Sequence, residues 1–188
     1  MMPPLGKQAG WAKIARRIRV PLGFAFAGLY LVLAKPSWLS LLMGILVVAS
    51  GIALRAAASG HVKKNTELTI TGPYAYTRNP LYLGSLCIAI GFGVAGRNPW
   101  IAVAIFVFLV MIYYPVILSE EDYLRSRFPE FGSYQARVPR LFPKFKADGN
   151  AGSFSRELYL QHREYNSLIG AILLTIVLIA KMLLFPRI

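Results

Sequence analysis

Five apolar runs, at roughly 20–35, 37–58, 81–98, 100–119 and 166–185, decide what this chain can fold into. A stretch of about 20 apolar residues is the length of a helix that crosses a hydrocarbon layer about 30 Å thick. The runs lack the two-residue alternation of a strand, and only closed hydrogen-bonded elements cross lipid, so the spans are expected to be helices. With 56% of its 188 residues hydrophobic, the chain is too apolar for an ordinary soluble domain of this size. The expected fold class is all-α: a polytopic membrane bundle of about five transmembrane helices, forming one domain over 1–188. The first run is short and carries Gly23 and Gly28. Lys13, Arg16, Arg17 and Arg19 precede it and Val32-Leu33-Ala34 ends it, a signal-peptide pattern. Pro36 and the second run follow at once, which favours a retained span.

Charge then orients the spans. The chain carries 21 Lys+Arg against 8 Asp+Glu, a formal +13. Five basic residues lie before residue 20, four between Arg55 and Arg78, and eight between Arg125 and Arg163, all on one side of the spans. Lys35, Arg97, Lys181 and Arg187 fall at or near the other side. The positive-inside rule places the N-terminus in the cytoplasm and the C-terminus outside, with a bacterial or archaeal inner membrane as the expected location. The same positions make anionic lipid headgroups the expected partner at the cytosolic face and argue against nucleic acid. Trp11 to Val20 is expected to form a basic amphipathic helix at that face. Trp38 and Trp100 open spans on the outer side, where an aromatic belt belongs. Cys87, inside the third span, is alone, so no intrachain disulfide is possible.

The polar segments flanking the third and fourth runs carry the chemistry. The stretch opens with Gly72-Pro73-Tyr74-Ala75-Tyr76-Thr77-Arg78-Asn79-Pro80-Leu81-Tyr82-Leu83-Gly84. It continues with Ser119-Glu120-Glu121-Asp122-Tyr123-Leu124 and closes with Phe131-Gly132-Ser133-Tyr134-Gln135-Ala136-Arg137-Val138-Pro139-Arg140. A helical hairpin broken at Arg97-Asn98-Pro99 brings Arg78-Asn79 and Glu120-Glu121 back to the same membrane face. Pro80 disfavours a helical Asn79 and suits the first helical position, so Asn79 should cap the third span and leave N–H groups free near Leu81 and Tyr82. Pro115 should kink the fourth span one turn before Ser119. Phe131, Tyr134 and Arg137 recur every three residues and are expected to share a face of a surface helix interrupted near Phe128-Pro129. The small residues Gly44, Ser50, Gly51, Gly84, Gly91, Gly93 and Gly96 read as helix-packing positions. Thr66 to Thr71 has the look of an extended segment, residues 146–153 of a flexible linker, and Ser155 to Tyr165 of a helical turn or two.

Glu120 and Glu121 with the rings of Tyr74, Tyr76, Tyr82, Phe131 and Tyr134 suit a cation. Arg78, Arg137 and Arg140 suit a carboxylate or phosphate. A ligand carrying both charges would use both sets, and S-adenosyl-L-methionine is such a molecule. His61 and His162 are isolated and neither has ligand spacing, so no metal is expected.

The three motifs together, over about residues 61–143, resemble the isoprenylcysteine carboxyl methyltransferase family, and the related phospholipid methyltransferases carry similar elements. The resemblance implies a membrane-embedded methyltransferase that uses S-adenosyl-L-methionine at the cytosolic end of the hairpin and acts on a membrane lipid or prenylated substrate, most simply at a carboxylate. It implies a cofactor site of Tyr76, Arg78, Asn79, Pro80, Leu81, Tyr82, Gly84, Glu120, Glu121 and Tyr134. Arg137 and Arg140 would bind substrate, with Arg137 and Glu121 the catalytic pair. Residues 144–188 would be a linker and last span. The family's usual Arg-His-Pro reads Arg78-Asn79-Pro80 here, and asparagine keeps a donor and an acceptor but does not titrate near neutrality. That favours an acceptor already ionised at pH 7, such as a carboxylate. Two other classes share parts of the pattern: an NADPH-dependent membrane sterol-type reductase, and a non-enzymatic lipid-binding membrane protein.

Overall fold

A computed structural model of the chain describes residues 5–63, 66–147 and 152–185. Among these residues every regular element is a helix. In chain order they are α1 (Leu5–Leu33), α2 (Trp38–Ser59), α3 (Pro80–Gly96), α4 (Pro99–Phe108), α5 (Tyr114–Arg127), α6 (Phe131–Arg137), α7 (Arg156–Gln161) and α8 (Tyr165–Leu184). A 3-10 turn, Gly72–Ala75, precedes α3, and a π-helical turn, Leu109–Tyr113, joins α4 to α5. Among the described residues three helices are long and apolar enough to cross a membrane: Trp38–Ser59, the continuous Pro99–Arg127, and Tyr165–Leu184. Pro80–Gly96 and the Pro21–Leu33 part of α1 are apolar but shorter. The five apolar runs are thus all helical, and three reach full spanning length. Their outer surface is apolar, with Phe24, Val32, Leu39, Leu46, Phe106 and Leu184 all exposed, as lipid-facing positions are.

Close approach of α2 and α3 sets the centre of the bundle. Gly44 and Gly51 on α2 meet Gly91 and Gly84 on the antiparallel α3. A Cβ on Gly51 would lie 2.6 Å from the Gly84 carbonyl oxygen, and one on Gly91 2.6 Å from that of Gly44. Seven residues separate the glycines on each helix, two turns, so both contacts fall on one seam. Around it Tyr30, Leu41, Val48, Phe92, Ile101 and Leu178 form the main core.

The hairpin turn follows from its sequence. Arg97 adopts the left-handed conformation (φ 47°) that ends α3. Asn98 then caps α4, its Oδ1 accepting from the Trp100 N–H at 3.0 Å, while its Nδ2 donates to the Leu33 carbonyl at 3.0 Å. At the same end Lys181 Nζ donates to the carbonyls of Leu31, Val32 and Ala34, closing the α1 C-terminus. Lys35, Arg97 and Lys181 therefore share one end of the bundle, and Arg187 lies outside the described residues. Trp38 and Trp100 are both exposed there.

One local expectation needs correction. Trp11 to Val20 is no separate surface helix: α1 runs unbroken through Pro21. Thr66 to Thr71 belongs to no helix or strand, and Thr71 at its end is extended (φ −105°, ψ 166°). Half of the expected 146–153 linker, residues 148–151, lies outside the described residues. The bend at Pro115 takes the form of the π turn just before it. Proline has no N–H for the Met111 carbonyl, and the indole N–H of Trp11 donates to it instead at 2.9 Å, tying α1 to the bend.

Candidate functional site

The two ends of the hairpin meet as the sequence requires. Arg78, just before α3, lays its guanidinium against Glu121 on α5, with Nε to Oε1 at 3.0 Å and Nη2 to Oε2 at 3.3 Å. Its remaining Nη1 donates to the Gln135 and Val138 carbonyls at 2.8 and 3.0 Å, satisfying the end of α6. Asn79 stands at the N-cap of α3, as expected, but its side chain does not cap the helix. Its Nδ2 donates to Glu121 Oε1 at 3.1 Å and to the Arg140 carbonyl at 2.9 Å. Arg140 Nε completes the set at 3.0 Å from Glu121 Oε2. Glu121, 3% exposed, is held on both oxygens by three side chains from two segments. It braces the fold behind the cavity and does not line it.

The same short stretch stitches a strap, Pro139 to Lys144, into place through backbone oxygens. Arg78 N–H donates to the Pro139 carbonyl at 2.9 Å, Thr77 Oγ1 to that of Leu141 at 2.9 Å, and Lys144 N–H to that of Tyr76 at 3.1 Å.

In front of this clamp lies a cavity of about 340 Å³, within the range of roughly 300–1,000 Å³ usual for small-molecule sites. Its walls include Tyr74, Arg78, Asn79, Tyr82, Glu120 and Tyr134. Pro80, Leu81 and Tyr82 bring the N-terminus of α3, whose first N–H groups have no helical partner, to its floor. Glu120 Oε1 accepts from Tyr82 Oη at 2.8 Å, which aims the carboxylate. Tyr134 Oη donates to the Tyr74 carbonyl at 2.8 Å. Burial, reinforced by neighbouring Tyr134 and Glu120, pushes the Tyr74 phenol well above its usual range, so this wall stays uncharged. Lys63 and Glu67 pair at 3.0 Å beside the mouth.

Of the residues expected at the cofactor, Arg78, Asn79, Pro80, Leu81, Tyr82, Glu120 and Tyr134 line this cavity. Gly84 faces away, against Gly51 and Arg55 of α2, and serves packing. Tyr76 is exposed, and its carbonyl holds the strap. Arg140 sits behind the cavity on Glu121, with its guanidinium 5.9 Å above the Tyr114 ring. Arg137 is on the exposed side of α6, whereas Phe131 and Tyr134 are buried. The reason is helical arithmetic: three residues fall about 60° short of a full turn, so two such steps carry Arg137 about 120° from Phe131. Sequence reasoning missed Tyr123 and Phe128 as lining residues. Tyr123 was reachable, since it stands three residues after Glu120 on the same helix face.

Residues 39–130 match the family model described as phospholipid methyltransferase. Among curated proteins the chain is similar to a nickel-cobalt-cadmium resistance protein of Alcaligenes xylosoxydans xylosoxydans, with 38% identity over 51% of this chain and 48% of that protein. It is also similar to a cobalt-zinc-cadmium resistance protein of Cupriavidus metallidurans, with 34% identity over 44% of this chain and 38% of that protein. The matched stretches thus span about half the length of these relatives, or less. No solved structure matches.

Proposed function

We propose, from a chain whose residues 39–130 match the phospholipid methyltransferases, that it is a five-span membrane methyltransferase acting on a lipid-like acceptor. One observation carries the reading: at the end of a membrane bundle, the cavity sets a carboxylate, Glu120, and the open N-terminus of α3, backed by the Arg78–Glu121–Arg140 cluster, among the rings of Tyr74, Tyr82, Tyr123 and Tyr134. That is the chemistry of a zwitterion bearing an aromatic base, as S-adenosyl-L-methionine is. The N–H groups of α3 would hold its carboxylate, with the two guanidinium groups on Glu121 leaving a net positive charge behind them, and Glu120 would hold its positive groups. When bound, the cofactor supplies an electrophilic methyl group on a sulfonium. The chain's own work is to orient it and keep water out. A carboxylate acceptor loses no proton in the transfer, which suits a site where Asn79 cannot act as a base.

We read the whole chain as one domain, with its N-terminus in the cytoplasm, its C-terminus outside and anionic lipid headgroups along the basic face. A bacterial or archaeal inner membrane is the location proposed. The relatives are named for resistance to metal ions; a methyltransferase would contribute by altering a membrane component rather than by holding the ion. Among the described residues no group of three or more His, Cys, Asp and Glu stands close enough to hold one.

Calorimetry on the detergent-solubilised protein tests the reading. S-adenosylhomocysteine should bind saturably, and Tyr82→Ala and Glu120→Gln should each weaken it about tenfold, the loss of one charge-assisted hydrogen bond. Binding of NADPH without S-adenosylhomocysteine would replace the methyltransferase with a reductase. Binding of neither would leave a lipid-binding protein.

A further inference from the structure

A second cavity, of about 450 Å³, lies within the bundle between α1, α3 and α8. Most of its wall is hydrocarbon and aromatic, including Phe26, Ile88, Phe92 and Leu174. Its polar residues include Arg55 of α2, Ser85 of α3, and Asn166 and Ser167 of α8. Arg55 is rigidly placed. Its Nε pairs with Glu164 Oε1 at 2.5 Å, and its Nη1 donates to the Leu81 carbonyl at 3.1 Å and to Ser85 Oγ. Ser167 Oγ donates to the same Glu164 oxygen at 2.7 Å, which fixes the carboxylate in turn. The second terminal nitrogen of Arg55, Nη2, has no partner among the described residues.

A charged side chain at a membrane helix end is costly unless it is paired or used. Glu164 balances the charge of Arg55 and leaves one N–H-bearing corner unspent. Asn166 and Ser167 belong to the first turn of the 20-residue α8, so the positive end of that helix is present as well. The two cavities also share a wall. Leu81 lines the first and gives its carbonyl to Arg55, and Tyr82 of the first meets Tyr113 of the second edge-to-face at 5.5 Å.

We infer that this second cavity is the acceptor site, and that it takes a single-chain amphiphile with a carboxylate head, read by Arg55 and not by Arg137. The inference rests on the methyltransferase reading for the fate of that head: one carboxylate oxygen gains the methyl group, the sulfonium is left as a neutral thioether, and no proton moves. The binding site itself stands on Arg55 and the groove.

Photolabelling of the full chain in phosphatidylcholine nanodiscs tests it, with palmitic acid carrying a mid-chain diazirine as the probe. Label is expected on the α1, α3 and α8 segments around Phe26, Ile88 and Leu174. Excess palmitic acid should displace it and hexadecanol should not. Arg55→Gln should reduce labelling about tenfold, the loss of a charge-assisted hydrogen bond. Should Arg55→Gln fail to fold, Gly170→Leu serves. Gly170 lines the cavity and a Cβ there meets nothing within 4 Å, so a larger side chain has room to enter the groove. That variant should lose the label and keep S-adenosylhomocysteine binding by calorimetry. Label spread over outward-facing helix surfaces, displaced equally by hexadecanol or indifferent to Gly170→Leu, means annular lipid only and overturns the assignment. Loss of S-adenosylhomocysteine binding in the unmodified protein would sink the methyltransferase reading while leaving the labelling result standing.

Discussion

Glu121 receives Arg78, Asn79 and Arg140, and that crowding makes it the residue most sensitive to change. Replacing it by alanine leaves two guanidinium groups and an amide facing one another with no anion between them. Removing one member of a buried ionic set costs about 3–5 kcal/mol. We expect Glu121→Ala to lower the thermal midpoint in detergent by that much stability, while Arg137→Ala, on the exposed side of α6, leaves it unchanged within about 0.5 kcal/mol. A Glu121→Ala protein as stable as the parent would refute the bracing role. The Arg-Asn-Pro and Glu-Glu pieces were legible as partners because their places at the hairpin ends fix where they meet. Which of two adjacent glutamates would face the cavity was not legible. Helix rotation decides it, pointing Glu120 forward to Tyr82 and Glu121 back to Arg78. Asn79 was read as a cap from Pro80 alone; the buried carboxylate is the stronger acceptor for its amide, and it won.

At the scale of elements, the glycine seam between α2 and α3 positions the first turn of α3, and with it Leu81 and Tyr82. Gly51→Val would drive a side chain into the Gly84 carbonyl and Cys87 Cβ, 2.6 and 2.9 Å from its Cβ position. Backbone on one side leaves little room to relax, so a loss of about 3 kcal/mol is expected, read as a lower thermal midpoint together with loss of S-adenosylhomocysteine binding. Gly170→Ala, where a Cβ meets open space, should instead be neutral or gain up to about 1 kcal/mol from helix propensity. Equal effects at the two sites would show that the seam is not what holds α3. The small residues of the second and third runs made this packing readable from the sequence, though not which of them meet. The π turn did not announce itself, because Pro115 alone says only that a carbonyl is orphaned, and the Trp11 indole that meets it comes from a hundred residues away.

For the whole molecule, the run lengths and charge placement gave the correct helices, yet two of the five fall short of full spanning length. The helical fold alone does not assign sides. Lys35, Arg97 and Lys181 cluster at one end of the bundle, and the site with most of the basic residues lies at the other. With Cys87 replaced by serine, a thiol introduced by Arg97→Cys should react with an impermeant maleimide added outside intact cells. One introduced by Lys146→Cys should react only after the membrane is opened. The reverse pattern would invert the proposed orientation and place the cofactor cavity away from the cytoplasm.

Thr77, Arg78 and Asn79 grip the strap from Pro139 to Lys144 by its main-chain oxygens and not by what its side chains carry. Such a grip is blind to spelling and alert to counting. Arg140 apart, whose side chain answers to Glu121, relatives can drift in the letters of this segment and keep a working enclosure, whereas gaining or losing a single residue there would throw every stitch out of step.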